Sequence, residues 1–350
     1  MFRLLLLRKF NLPFVFVTAA VVALGMVLLA FIPAQARGIT PGDLTPSGLV
    51  GATLTEVSCE IAIGIDEGEC GRLMALYDAG LRGKGDLRPA WGSTTAPCGW
   101  RGISCLNGFI TSLTLKGAAG GATVPSALGN IANLTQLSLL EGISGSLPAN
   151  FGQWFLLKDL TIKNNSITGG LPTLVAVQYL TSLTISGTGI SGSLPASYRF
   201  GHLFEALDLS HNHLSGNIGN VFLAPYNLRS IDLSHNQFTS MNMNFDDRAG
   251  FDSLEEVRLN NNLLDGVYYF GRRISTLRLV DLSHNRIRLG IPNVGPDITH
   301  FQINDNPISA EMPISLSIYS ELEYFDWSNT AICIPYDFAL VAWLRAPSFN

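Results

Sequence analysis

Three phrases of one kind hold most of the residues in this chain that could do chemistry. Asp208, Asp232 and Asp281 are each followed three places later by a histidine, His211, His235 and His284. A carboxylate and an imidazole at fixed spacing can hold a metal, make a pH-sensitive face, or meet a basic partner. A metal needs a convergent third ligand and support behind the ligands. Asn261 breaks the histidine column, so no metal site is expected and no cofactor is implied. Enzyme signatures are missing too. There is no G-x-S-x-G elbow and no H-E-x-x-H, and Gly83 and Lys84 lack the rest of a phosphate loop. The chain reads as a non-enzyme, with an exported hydrolase as the most distant alternative.

The elements that position these residues are repeats. Phe204, Leu207, Leu209, Asn212 and Leu214 are followed by Leu228, Ile231, Leu233, Asn236 and Phe238. Both sets spell L-x-x-L-x-L-x-x-N-x-L, with Phe or Ile standing for Leu. The phrase recurs over residues 110–332, about ten times at a period of about 24 residues, so each copy is one coil of a solenoid. Leucines such as Leu134, Leu137 and Leu139 point inward, and alternation puts the residues between them on an exposed strand face. A single coil cannot bury its own apolar side and depends on its neighbours. The fifth position of successive coils gives an exposed column: Ser138, Thr161, Thr184, Asp208, Asp232, Arg258, Asp281, Gln302 and Asp326. Asp208, Asp232, Arg258, Asp281, Gln302 and Asp326, with the exposed Tyr324, are the candidate ligand-binding residues. The plainer reading is that a repeated Asp keeps a strand face soluble, because a fold does not define a site.

The pattern resembles the plant-type leucine-rich repeats. Several coils end in S/T-G-x-L-P, as at Ser144 to Pro148, Thr168 to Pro172 and Ser191 to Pro195. Before the first coil, Cys98, Trp100, Gly102, Ile103 and Cys105 match the C-x-W-x-G-[VI]-x-C ending of the N-terminal cap in that family. The resemblance implies an α/β solenoid, a right-handed superhelix of about ten coils with a parallel concave β-sheet and helical end caps, and a second short strand at each L-P ending. It also implies a structural asparagine ladder at Asn165, Asn212, Asn236, Asn262, Asn285 and Asn306, interrupted at Gly142, Thr188 and Thr330. On that basis Asn236→Leu should cost roughly 1–3 kcal/mol by orphaning backbone groups.

Residues 1–36 read as a signal peptide or an N-terminal membrane anchor. Arg3, Arg8 and Lys9 precede an apolar run over residues 12–32, and Ala34 and Ala36 offer a cleavage site. Residues 37–58 form a linker, 59–106 an N-terminal cap, 107–332 the repeats and 333–350 a C-terminal cap. Four cysteines before the repeats suggest two disulfides; the local pairing Cys59–Cys70 and Cys98–Cys105 is expected among three connectivities. Cys333 is left over and reads as a buried thiol, with an intermolecular bridge as the alternative. After it, Val341 and Leu344, with Phe338 or Trp343, are expected to fold back over the end of the array. Tyr268, Tyr269, Phe270, Arg272 and Arg273 form an aromatic and basic cluster in a return segment. Asn133 with Thr135, and Asn164 with Ser166, are glycosylation acceptors in a eukaryotic host.

Charged residues are 14% of the chain and the net charge is −5, which leaves no basic footprint for nucleic acid. No kinase-like domain is read in the sequence. Resemblance to receptor-like ectodomains and to polygalacturonase-inhibiting proteins implies a secreted or cell-surface scaffold. It would bind an extracellular protein, peptide or cell-wall glycan on its concave face, with a membrane tether possible through the N-terminal run. A structural or adhesive surface protein without one defined ligand is the alternative.

Overall fold

The computed structural model describes residue 59 and residues 62–345 apart from 79–95, 118–121, 175, 177–178, 220, 223–224, 242–249, 267 and 271–273. All of these fall in one compact unit, Leu54–Asn350. The expected leader and linker, Leu81, Trp91, Arg272 and Arg273, and most of the long stretch after Met241 lie outside the described residues.

The main sheet has eleven strands. It opens with an antiparallel pair, Ile103–Leu106 against Phe109–Lys116. The parallel series then runs Phe109–Lys116, Gln136–Leu140, Asp159–Lys163, Ser182–Ser186, Ala206–Asp208, Ser230–Asp232, Glu256–Arg258, Leu279–Asp281, His300–Gln302 and Tyr324–Asp326. Those ten strands are the ten coils. Register follows the repeat: Leu207 lies opposite Ile231, Ile231 opposite Val257, and Val257 opposite Val280. Each of these residues is at most 1% exposed, so the inward column is continuous and the core is shared between coils.

The second sheet is shorter than the resemblance implies. Six strands, Ala122–Thr123, Ile143–Ser146, Ser166–Gly169, Gly189–Gly192, His213–Ile218 and Gln237–Met241, run in sequence order. In the later coils, among the described residues, only isolated pairings, Tyr269 with Asn293 and Glu311 with Cys333, stand where that sheet would continue. The sequence changes at the same place. Coils with Ser-Gly or Thr-Gly before the L-P ending supply an extended, turn-tolerant segment, and later coils keep little more than the terminal apolar-Pro pair.

Both array ends are covered. At the start, the helix Glu67–Leu76 is capped by Asp66, whose side chain accepts from the Gly68 and Glu69 amides. Its Leu73 and Leu76 are fully buried against the first coils. Disulfides join Cys59 to Cys70 and Cys98 to Cys105, the local pairing expected from spacing. Gly102 closes the cap turn at φ +82°, and a Cβ there would lie 2.3 Å from the Thr114 carbonyl oxygen, so only glycine fits. Glu69 is the unexpected residue. It is wholly buried, pairs with Arg72 at 2.5 Å, accepts from the Ile110 amide at 3.4 Å and from Asn133 Nδ2 at 3.5 Å. A buried carboxylate costs free energy unless it is paired, and this one ties the cap helix to the first two coils. Glu69→Ala should lower stability by about 2 kcal/mol, mostly through the orphaned Ile110 amide. A denaturant titration checks this, and an unchanged midpoint would contradict it.

The closing helix is Phe338–Leu344, capped by the Asp337 side chain on the Leu340 amide. Of the two expected forms it takes the one with Trp343, which packs with Leu344 partly buried against the core. Leu340 is the fully buried residue, Val341 and Leu344 are half-buried, and Phe338 is 79% exposed. Cys333 is exposed, not buried; its thiol lies 3.5 Å from the Ala310 carbonyl at the rim of the last coil.

Between coils, the return segments carry an aromatic stack. Phe200 and Phe204 lie parallel with centroids 4.1 Å apart, flanked by Tyr198 at 5.5 Å and Phe222 at 5.8 Å from Phe200. The Tyr198 hydroxyl donates to the Pro172 carbonyl at 2.5 Å, and burial pushes its ionisation far above the ordinary phenol value. In the expected cluster, Tyr268 and Phe270 are buried and only Tyr269 is exposed.

Candidate functional site

The repeated Asp-Leu-Ser-His-Asn phrase is a turn formula. Asp208 Oδ1 accepts from the Ser210 amide at 3.0 Å and its hydroxyl at 2.7 Å. Asp232 does the same to Ser234, and Asp281 to Ser283. Asp326 accepts from the Ser328 amide at 2.9 Å. These bonds fold the chain just after the strand, as Asp side chains commonly do. Coils with Ser or Thr at the fifth position keep five-residue strands, as in Gln136–Leu140, whereas the Asp coils stop after three, as in Ser230–Asp232. Glu256–Arg258 and His300–Gln302 are equally short without an Asp, so the register of the neighbouring coils also holds the turn.

The histidines have a matching reason. His211, His235 and His284 have φ of +54°, +54° and +53°. Glu141, Asn164, Asp305, Asn261 and Asn329 share this left-handed column, and Gly187 fills it in one coil. Asn, Asp, His and Gly are the residue types that tolerate this conformation best. The eighth position therefore follows backbone geometry, a signal present in the sequence as the run of these four types, broken at Glu141.

One place further, the ninth position is the ladder. Asn236 Nδ2 donates to the carbonyls of Leu209 at 2.8 Å, Leu233 at 3.2 Å and Ser234 at 3.1 Å, while its Oδ1 accepts from the Leu214 amide at 3.0 Å. Asn165, Asn212, Asn262, Asn285 and Asn306 each reach back to the preceding coil in the same way. Thr188 substitutes in part, donating to Asn212 and accepting from the Ile190 amide. Thr330 donates to its own turn at the Trp327 carbonyl.

A match of the Leucine Rich Repeat family to residues 227–245 falls on one turn of this ladder. The chain has the leucine-rich repeat fold. The "Probable inactive receptor kinase RLK902" of Arabidopsis thaliana is 42% identical to this repeat protein over 60 residues, which are 17% of the chain and 9% of the relative. The chain thus spans under a tenth of that curated relative. Among solved structures, the Arabidopsis receptor kinase HAESA ectodomain, in complex with an N-terminally extended IDA peptide hormone, aligns with a TM-score of 0.54 at 22% identity. The alignment covers 77% of this chain and 50% of that one. A plant ice-binding protein aligns with a TM-score of 0.52 at 20% identity, covering 78% of this chain and 99% of that one. At such identities the two structures share the fold with the repeat protein.

The concave face of the repeat protein brings the sequence candidates into one strip. Parallel register sets Asp208 beside Asp232, then Arg258, Asp281, Gln302 and Asp326. Tyr324 lies on the same final strand with its hydroxyl 3.4 Å from Asp326 Oδ2. Several charges are matched locally: Lys163 with Asp208 at 3.5 Å, Arg258 with Glu256, and His284 with Asp305 at 3.4 Å. Asp232 and Asp281 have no ion-pair partner among the described residues. Each keeps Oδ2 clear of its own turn bonds.

His211 and His235 lie face to face, centroids 4.0 Å apart and 12° from parallel. Burial, then His211 and more weakly His284, lowers the His235 value below that of an ordinary imidazole, against the opposite pull of Asp232 and Asp281. The folded protein therefore binds this proton less readily than the unfolded chain. Any stability it contributes is full above the ordinary imidazole value and is lost as pH falls through it. An NMR titration should find His235 protonating at lower pH than a free imidazole, and His211→Ala should move it upward. Among the described residues no three His, Cys, Asp or Glu side chains gather as metal ligands, and no helix is long and apolar enough to cross a membrane.

Proposed function

We propose that the protein is an exported recognition scaffold, not a catalyst, whose concave face between Asp208 and Asp326 binds an extended peptide or the extended segment of a protein partner. The observation that carries this reading is the pair Asp232 and Asp281, half-buried carboxylates without an ion partner on either side of Arg258. They favour a ligand with basic side chains. The stacked rings of His211 and His235 add flat surface for a guanidinium to lie on. The six strands from Ala206–Asp208 to Tyr324–Asp326 span about 24 Å at about 4.8 Å per strand, the length of about seven extended residues. The HAESA complex supports the class of ligand, since there a peptide hormone is bound to a scaffold of this fold. Secretion or surface display is the compartment in which the two cap disulfides persist.

The test is binding of a short arginine-bearing peptide and its glutamate counterpart, followed by fluorescence anisotropy. The arginine peptide should bind and weaken with salt. Asp232→Asn with Asp281→Asn should lower its affinity by about tenfold at low salt, at about 0.7 kcal/mol per carboxylate, with thermal unfolding little changed. Equal binding of both peptides, or an unaffected double variant, would contradict the proposal.

A further inference from the structure

The two glycosylation acceptors are not equivalent in the folded chain. Asn133 sits under the N-terminal cap, half-buried, with Nδ2 directed at the buried Glu69 carboxylate, 3.5 Å away. The hydroxyl of its partner Thr135 is used on the Thr111 carbonyl at 2.9 Å. Asn164 is the opposite case. It is exposed at a left-handed turn with φ +52°, and its backbone amide is held by the Ser186 carbonyl at 3.0 Å. The side chain lies over Gly187 of the next coil, where a Cβ would come within 2.8 Å of Asn164 Oδ1. Gly187 thus leaves room for the Asn164 side chain, and the exposed Ser166 completes the acceptor.

We propose that Asn164 is an N-glycosylation site and that Asn133 is not. This rests on the reading that the chain enters a eukaryotic export pathway. In the transfer, Asn164 Nδ2 forms a bond to the anomeric carbon of a lipid-pyrophosphate-linked oligosaccharide. The nitrogen gives up one proton and the lipid pyrophosphate leaves. Sugar on Asn164 costs the fold little, because its Nδ2 donates no hydrogen bond among the described residues, while its backbone amide stays on the Ser186 carbonyl. Sugar on Asn133 must displace the contact with Glu69 that ties the cap to the array. The Asn164 sugar stands in the same turn column as His211, two coils and about 10 Å away. It flanks the proposed peptide strip and closes off the concave rim of the earlier coils.

The experiment places a heterologous export leader ahead of the full chain in insect cells, so that the outcome does not depend on the native N-terminal segment. Secreted protein should lose mass with peptide N-glycosidase, and mass spectrometry should find the sugar on Asn164 alone. Asn164→Gln and Ser166→Ala should each abolish it, and Asn133→Gln should leave it unchanged. Ser166→Ala keeps the test valid if glutamine strains the left-handed turn. Secreted protein with bare Asn164, or with sugar on Asn133, overturns the proposal whatever the peptide assay gives.

Discussion

Asn236→Leu is expected to lower the unfolding free energy by about 3–5 kcal/mol, more than its place in the repeat alone suggests. The side chain closes four hydrogen bonds, and two of them, to the Leu209 carbonyl and the Leu214 amide, cross to the preceding coil. Leucine fills the space but leaves those backbone groups dry and unpaired, at about 1–3 kcal/mol each. The surrounding carbonyls of Leu233 and Ser234 lose their donor as well. Guanidinium titration by circular dichroism measures the change. A loss below about 1 kcal/mol would mean that water enters the turn and replaces the amide.

Phe200→Ala should cost about 3–5 kcal/mol as well, and should change the shape of the transition. Phe200 is 1% exposed and lies in a return segment, where a single parallel bridge to Phe222 joins the coils outside the main sheet. Its ring stacks on Phe204, and its backbone amide donates to the Val221 carbonyl at 2.8 Å. Stability in a linear array is a sum of coil terms and interface terms. Emptying one interface lets the coils on either side melt separately. Hydrogen exchange should then show amides before Phe200 and after Phe222 opening at different denaturant concentrations, where the wild-type protein opens them together. A single shared transition in the variant would contradict this.

How much was readable follows from where the information lies. The coils and their inward leucines stand out because identical positions recur in register, and each recurrence strengthens the next. Residues that fit one place only left no such trace. Glu69 carries an ordinary surface residue type, and only the fold places it under Asn133 and Ile110. The Phe200 stack lies in return segments of variable length, where no period aligns it. On the closing helix, seven residues are too few to choose between Phe338 and Trp343; Trp343 packs inward with Leu344, Phe338 is exposed, and the buried Leu340 is not singled out by the pattern. Cys333 resembles a packed thiol by residue type, yet it lies exposed at the rim of the last coil.

The candidate site shows the same limit in another form. Asp208, Asp232 and Asp281 were visible as a column, but their turn bonds were not, because a repeated Asp can serve backbone and ligand at once. The geometry separates the oxygens: Oδ1 of Asp232 and Asp281 belongs to the turn, and Oδ2 takes no part in it. Arg258 could be read only as a charge in the column, whereas Glu256 beside it takes up its guanidinium.

The central claim is that the strip from Asp208 to Asp326 is the face that ligand touches. Photo-crosslinking tests it most directly, with a benzoylphenylalanine placed at Gln302 on the concave sheet or at Ser315 on the far side of the same array. With the arginine-bearing peptide as probe, adducts should form from position 302, should be competed by unlabelled peptide, and should be absent from position 315. Equal adducts from both positions, or adducts from 315 alone, would contradict the account.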